Sequence, residues 1–148
     1  MIVEKTDAQH PDFKALVVLL DKELAITDGN EHAFYHQFNG LEDIKHVLIA
    51  TIDNVAIACG AFKKLNETSV EIKRMYTLPN FRGKGIASQL LLHLEDWAKE
   101  IGFSSTILET GKRQPDAIAL YKKNGYTVIP NYGQYVGKEN SVCFEKKL

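Results

Sequence analysis

Between an apolar run that ends at Thr77 and a helical stripe that begins at Ile86, the chain reads Leu78-Pro79-Asn80-Phe81-Arg82-Gly83-Lys84-Gly85. Glycines let a backbone come close to a ligand, and the unpaired N–H groups and dipole of a following helix favour an anion. Arg82 and Lys84 add positive charge, so a pyrophosphate suits this place. A plain turn would use the same glycines, and glycine content alone does not separate the two.

Two familiar phosphate loops fit poorly. A Walker loop places Ser or Thr after its lysine, whereas Lys84 is followed by Gly85. The dinucleotide fingerprint is nearer, because Gly83 and Gly85 are correctly spaced and Glu109 could hold a ribose. Ser88 replaces its third glycine, however, and Pro79 to Arg82 separate the strand from the loop. A nicotinamide-dependent oxidoreductase is therefore the weaker reading. Metal chemistry finds little support: of five histidines, only His32 and His36 have a helical i, i+4 spacing, and no Glu completes the zinc-protease arrangement. Cys59 and Cys143 each lie in an apolar run and read as small buried hydrophobes.

The elements that must position this loop follow from periodicity. A short strand at Ile2 to Glu4 precedes a helix opened by Pro11 and Asp12, whose apolar face is Phe13, Leu16, Val17, Leu20 and Leu24. A second helix is predicted over Glu31 to Phe38, stopped by Asn39-Gly40. Strands His46 to Ile52 and Val55 to Lys63 flank a tight turn at Asp53-Asn54, and Val70 to Thr77 continues the meander. After the glycine loop, Ile86, Leu90, Leu91, Leu94, Trp97, Ala98 and Ile101 form one stripe that ends at Gly102. Strand Ser105 to Thr110 comes next, then a helix with Pro115 in its first turn and Asn124-Gly125 at its end. Tyr126 to Ile129 and Val142 to Lys146 complete the sheet around the loop from Pro130 to Asn140. The predicted fold is α/β: a central mixed sheet of about six or seven strands flanked by about four helices.

At this point the residues resemble a known group, the GNAT superfamily of N-acetyltransferases. Its acetyl-CoA motif, Gln/Arg-x-x-Gly-x-Gly/Ala, is met by Arg82, Gly85 and Ala87 between a strand and a long helix. Its downstream pattern, Asn-x-x-Ala-x-x-Leu-Tyr-x-x-x-Gly-Phe, is matched by Ala117, Leu120, Tyr121 and Gly125, with Gln114 in the Asn place and Tyr126 in the Phe place. Both motifs occur in the right order and spacing, from about Val70 to Tyr126. The resemblance implies a GNAT-like fold that binds acetyl-CoA at Arg82, Gly83, Lys84, Gly85, Ile86 and Ala87, with contacts from Met75, Thr77, Gln114 and Tyr121. It also implies backbone N–H groups around Met75 to Thr77 against the thioester oxygen.

Direct transfer to an amine needs the neutral amine, and a lysine-like group with a pKa of about 10.4 pays about 4.6 kcal/mol to lose its proton at pH 7. Glu71 stands where some members of the family carry a base, and could act directly or through water. Its other reading is a solvated strand residue paired with a lysine. Tyr121 occupies the family's general-acid position and could return a proton to the leaving thiolate; its other reading is core packing. The acceptor site is expected between Asp28 to Asn39 and Pro130 to Asn140. Tyr35, Asn131, Tyr132 and Tyr135 could line it there, and Asp28 and Glu31 could favour a cationic amine.

Composition bounds the rest. A chain of 148 residues fits one domain, residues 1–148, and 45% hydrophobic with 25% charged residues is the balance of an ordinary folded protein. A net charge of −1 gives no general reason to seek nucleic acid or an anionic membrane. The charged N-terminus lacks a signal-like apolar core and no run is long enough to span a bilayer, so a cytoplasmic protein is expected. The expected acceptor is a small-molecule amine rather than a protein, with a homodimer as one expected assembly. A non-enzymatic acyl-CoA sensor is the alternative, since a fold and a ligand site do not guarantee turnover.

Overall fold

The computed structural model describes residues 1–31, 34 and 44–148. Seven strands form one sheet in the order β1-β2-β3-β4-β5-β7-β6. In chain order, β1 (Ile2–Thr6) leads into α1 (Pro11–Asp28), and β2 (His46–Ile52), β3 (Val55–Lys64) and β4 (Ser69–Thr77) follow. Then come α2 (Ile86–Glu100), β5 (Ser105–Gly111), α3 (Pro115–Lys123), β6 (Thr127–Ile129) and β7 (Ser141–Lys147). These three α-helices lie among the described residues. Apart from Glu31, which ends a 3-10 turn, and Phe34, the helix predicted over residues 31–38 lies outside them, as do its Asn39-Gly40 stop and Tyr35.

Local chemistry sets the element boundaries. The His10 ring accepts a hydrogen bond from Asp12 N and caps α1, with Pro11 supplying a helical φ at its first position. Asp53 and Asn54 both take positive φ, 51° and 65°, as a two-residue hairpin turn requires. Gly102, at φ 107°, ends the α2 segment. The sequence reading of the α2 stripe needs one correction: Ile101 caps the helix and is 44% exposed, because the chain has already left helical geometry there.

The sheet is covered on both faces, and β2 explains how a nearly continuous apolar strand serves both. Leu48 and Ala50 face the core under α2, while Val47 and Ile49 face the one under α1. The β3–β4 ladder contains an irregularity: Cys59 pairs with Tyr76 and Ala61 with Lys73, leaving Gly60 opposite both Arg74 and Met75. Arg74 there adopts φ 60°. A Cβ on Gly60 would sit 2.5 Å from Met75 Sδ, so any larger residue would make the Met75 side chain move. Such a bulge bends its strand. Parallel pairing of β4 with β5 covers only Ser69, Val70 and Glu71 against Ser105, Thr106 and Ile107, whereas β5 stays with β7 as far as Gly111 and Ser141. The two halves of the sheet therefore part beyond Glu71 and leave a fork.

Candidate active site

A cavity of about 130 Å³ occupies the mouth of the fork, between α1 on one side and β4, β5 and α3 on the other. The register decides what faces it. Glu71 pairs with Ile107 in a parallel ladder, so with side chains alternating along each strand, Glu71, Lys73 and Glu109 share one face. Ile72 and Leu108 point the other way, into the core with Leu90, Leu91 and Leu94.

Glu71 is 2% exposed and already engaged. The Tyr132 hydroxyl donates to its Oε2 at 2.5 Å, and Lys73 Nζ lies 3.8 Å from its Oε1. The sequence reading of a solvated Glu71 is overturned, while its pairing with a lysine is present. Burial pushes the Lys73 ammonium below its ordinary pKa, and Glu71 partly opposes that.

Glu109 differs. It lines the cavity and accepts one hydrogen bond, from Ser141 Oγ at 2.7 Å. Burial pushes its carboxyl up to about 7; the Ser141 hydrogen bond and Lys73 pull it down, and Asp28 and Glu71 raise it further. Sequence reasoning weighed Glu109 only as a ribose ligand. The signal it passed over was a lone carboxylate in the otherwise apolar or hydroxyl-bearing strand Ser105 to Thr110.

Tyr121 packs in the core and also borders the cavity. It is 7% exposed, with its ring 5.8 Å from Tyr126 and 6.0 Å from Phe144. Burial and then the Glu109 charge push its phenol up, so the hydroxyl holds its proton at neutral pH.

The glycine loop lies at the start of α2. Gly83 and Gly85 have φ of 75° and 78°, and a Cβ built on either would meet open space, apart from its neighbours in the chain, among the described residues. Gly85 caps α2 without a side-chain bond to the first-turn N–H groups. That open, donor-rich end fits an anion. Ile86 is buried in the core and Ala87 is half-buried in the first turn. The Arg82 side chain turns toward α1: its Nε donates to Thr77 O at 2.8 Å, and its Nη2 meets Glu23 Oε1 at 2.8 Å. Lys84 Nζ stands 5.4 Å from the centre of the Phe81 ring. Met75 and Gln114 line the cavity; Thr77 pairs with Ala58 beside it. Beyond Glu71, the edge of β4 facing the fork has no β5 partner, although the Thr77 carbonyl accepts from Arg82 Nε.

The acceptor residues expected from sequence separate into two sets. Asp28 and Tyr135 are buried and line the cavity, whereas Glu31 pairs with Arg113 at 3.1 Å on the surface. Asn131 donates to the carbonyls of Tyr135 and Lys138, which makes it a brace for its own loop rather than a lining group. Tyr132 reaches the site through Glu71. Both cysteines are free and buried, and burial pushes their thiols up, to about 12 at Cys59 and about 11 at Cys143, which leaves them unreactive. Among the described residues, no helix is long and apolar enough to cross a membrane.

Known proteins resemble this chain in sequence and fold. The family model described as the Acetyltransferase (GNAT) family matches residues 13–126. A relative from Azospirillum brasilense named IAA acetyltransferase is 37% identical over 102 residues, which make up 68% of this chain and 67% of that protein. Among solved structures, a provisionally named acyl-CoA N-acyltransferase from Klebsiella pneumoniae superposes with a TM-score of 0.82 at 28% identity, over 99% of this chain and 97% of that one. A GNAT family acetyltransferase from Elizabethkingia anophelis, solved with acetyl-CoA bound, shares the fold at a TM-score of 0.73 and 19% identity, over 99% and 97% of the two chains.

Proposed function

The chain belongs to the GNAT acetyltransferase family, and we propose that it moves the acetyl group of acetyl-CoA directly to a small primary amine held at the fork, within a ternary complex. The observation that carries this reading is the fork itself. The strand edge of β4 that β5 leaves unpaired borders a cavity lined by carboxylates and phenols, and the same strand leads on to the glycine-rich start of α2, which no side chain caps.

Acetyl-CoA supplies the thioester that the amine attacks. Backbone N–H groups from Gly83 to Ala87 hold its pyrophosphate, and peptide groups of Met75 to Thr77 face its thioester oxygen. The methylene stem of Gln114 and the ring of Tyr121 flank its chain. Arg82 contributes by fastening the loop to α1 through Glu23. Glu109 takes the proton that the ammonium must lose, since its carboxylate is less engaged than that of Glu71 and titrates near neutrality. Glu71, bound by Tyr132, orients Lys73 and the loop that closes the site. Tyr121 gives a proton to the departing thiolate and regains the one that the new amide nitrogen sheds, while Glu109 passes its own proton to solvent. The small volume of the cavity and the carboxylates of Asp28 and Glu109 favour a compact cationic amine over a folded protein surface.

The test is release of CoA thiol from acetyl-CoA across a panel of polyamines, amino acids, aminoglycosides, arylalkylamines and peptides. Amine-dependent release with at least one small amine is expected. Failure of acetyl-CoA to bind in a calorimetric titration ends the reading.

A further inference from the structure

We propose that Asn140 and Gln114 form a subsite for an oxygen of the acceptor, so that the preferred substrate is a small primary amine carrying a carbonyl or carboxylate oxygen a few atoms from its nitrogen. This inference rests on the transfer reading above.

Asn140 is 8% exposed, and its Nδ2 is enclosed with no hydrogen-bond partner among the described residues. A buried amide donor without an acceptor is costly and uncommon in native proteins, and an oxygen of a substrate in the cavity would satisfy it. The residue is held in place, because its backbone carbonyl accepts a 2.7 Å hydrogen bond from Lys112 N. Its side chain lines the same cavity as Glu109.

Gly111 shows where the amide points. A Cβ built on Gly111 would stand 3.2 Å from Asn140 Nδ2 and 3.4 Å from Gln114 Nε2. Two amide nitrogens from different elements thus converge on one point above a residue that has no side chain. Gly111 does not have positive φ, so turn geometry does not require glycine there; what its absence of a side chain provides is room. Gln114 makes no side-chain cap to α3 that would occupy its own amide.

The position relates this point to the chemistry. Gly111 lies two residues beyond Glu109 on β5, and at about 3.3 Å per residue the same face recurs about 6–7 Å farther along. An amine nitrogen near Glu109 would place an oxygen two to four bonds away beside the two amides. Carboxylates of Asp28, Glu71 and Glu109 surround the amine end, and the neutral amides receive the oxygen end. An amide carbonyl and a carboxylate satisfy the same donors, and the experiment separates them.

Steady-state rates with the full chain would compare propylamine, glycinamide, glycine, β-alaninamide and β-alanine, each with saturating acetyl-CoA. Taken per neutral amine at the assay pH, the oxygen-bearing amines are expected to exceed propylamine at least tenfold in kcat/KM. Gly111→Ala fills the point without replacing a buried side chain and should cut that preference at least fivefold by raising the KM of the amine, with the KM for acetyl-CoA unchanged. Asn140→Asp replaces the donor by a carboxylate and should penalise glycine and β-alanine more than their amides. Equal rates for propylamine and the others would leave acetyl transfer standing and overturn the subsite. A rise in the KM for acetyl-CoA in both variants, with the amine KM unmoved, would also overturn it, by giving these donors to the CoA chain. No thiol release with any amine would overturn the transfer reading, and this inference with it.

Discussion

Two carboxylates share one face of the fork, and their surroundings separate their roles. Glu71 meets a hydroxyl and an ammonium and is almost inaccessible; Glu109 meets one hydroxyl and borders open space. A base must be ionised to work, so with a carboxyl near 7 the proportion of active Glu109 falls about tenfold per pH unit below that value. Glu109→Gln should therefore lower kcat/KM by about 10²–10⁴ and remove this acidic limb, leaving a profile set by the amine alone. Glu71→Gln should cost less than tenfold and keep the limb. The reverse pattern returns the base to Glu71. Tyr121→Phe should lower turnover without weakening acetyl-CoA binding, and raising the pH from about 7 to 8.5 should not rescue it, because a thiolate leaving group with pKa near 8.5 needs less help only above that value. Wild-type turnover by that variant, where chemistry limits the rate, leaves Tyr121 as a packing residue alone. The sequence made Glu71 and Tyr121 legible through motif positions. It could not show that Tyr132, 61 residues away, binds Glu71, or that Glu109 stands beside Glu71, because both facts depend on which strands pair.

At the scale of elements, local signals were strong where a short stretch of chain decides the outcome. The hairpin at Asp53-Asn54 and the two glycines before α2 require a positive φ that few residue types adopt, Pro115 brings a preset helical φ to the start of α3, and each stands where the sequence placed it. The bulge at Arg74 was not legible, since it answers to the packing of Met75 and Leu94 against Gly60 rather than to anything local. Side-chain direction was equally hidden: Arg82 reads as a phosphate arm, yet Glu23 and the Thr77 carbonyl hold it. The cradle therefore depends on backbone, and its most sensitive position is Gly85. Gly85→Val forces a branched residue to φ near 78°, a strained state, and places its side chain in the open space before α2. Acetyl-CoA affinity should drop well over tenfold while the variant stays folded. An unchanged dissociation constant in calorimetry, with native circular dichroism, would move the phosphate site elsewhere.

For the molecule as a whole, the meander from β2 to β4 follows chain order and was readable, whereas β7 inserting between β5 and β6 was not, because that step is taken by the longest late loop. The fork results from it: β5 follows β7, β4 follows β3, and charged groups become buried in the gap between them. Such a site acts against the stability of its own fold. Glu109 has its folded-state carboxyl raised to about 7, while an unfolded glutamate titrates at about 4.3. Between those values the native state binds more protons than the unfolded chain, so this group's contribution to stability falls as pH rises from about 4.3 to 7; its ionised form is a full penalty above that range. Asp28 and Glu71 face it with like charge, Lys73 with opposite charge, and Tyr121, Tyr135 and Cys143 remain protonated beside it. Replacing Glu109 by Gln removes the penalty and keeps the volume. In urea denaturation the variant should exceed the wild type by on the order of 1–3 kcal/mol at pH 8, and the gap should close toward pH 4.5. A gap of the same size at both pH values would mean that Glu109 stays ionised in the folded protein throughout. The same measurement would then remove the physical basis for a base poised near neutrality, so activity and stability in this fold stand on one ionisation.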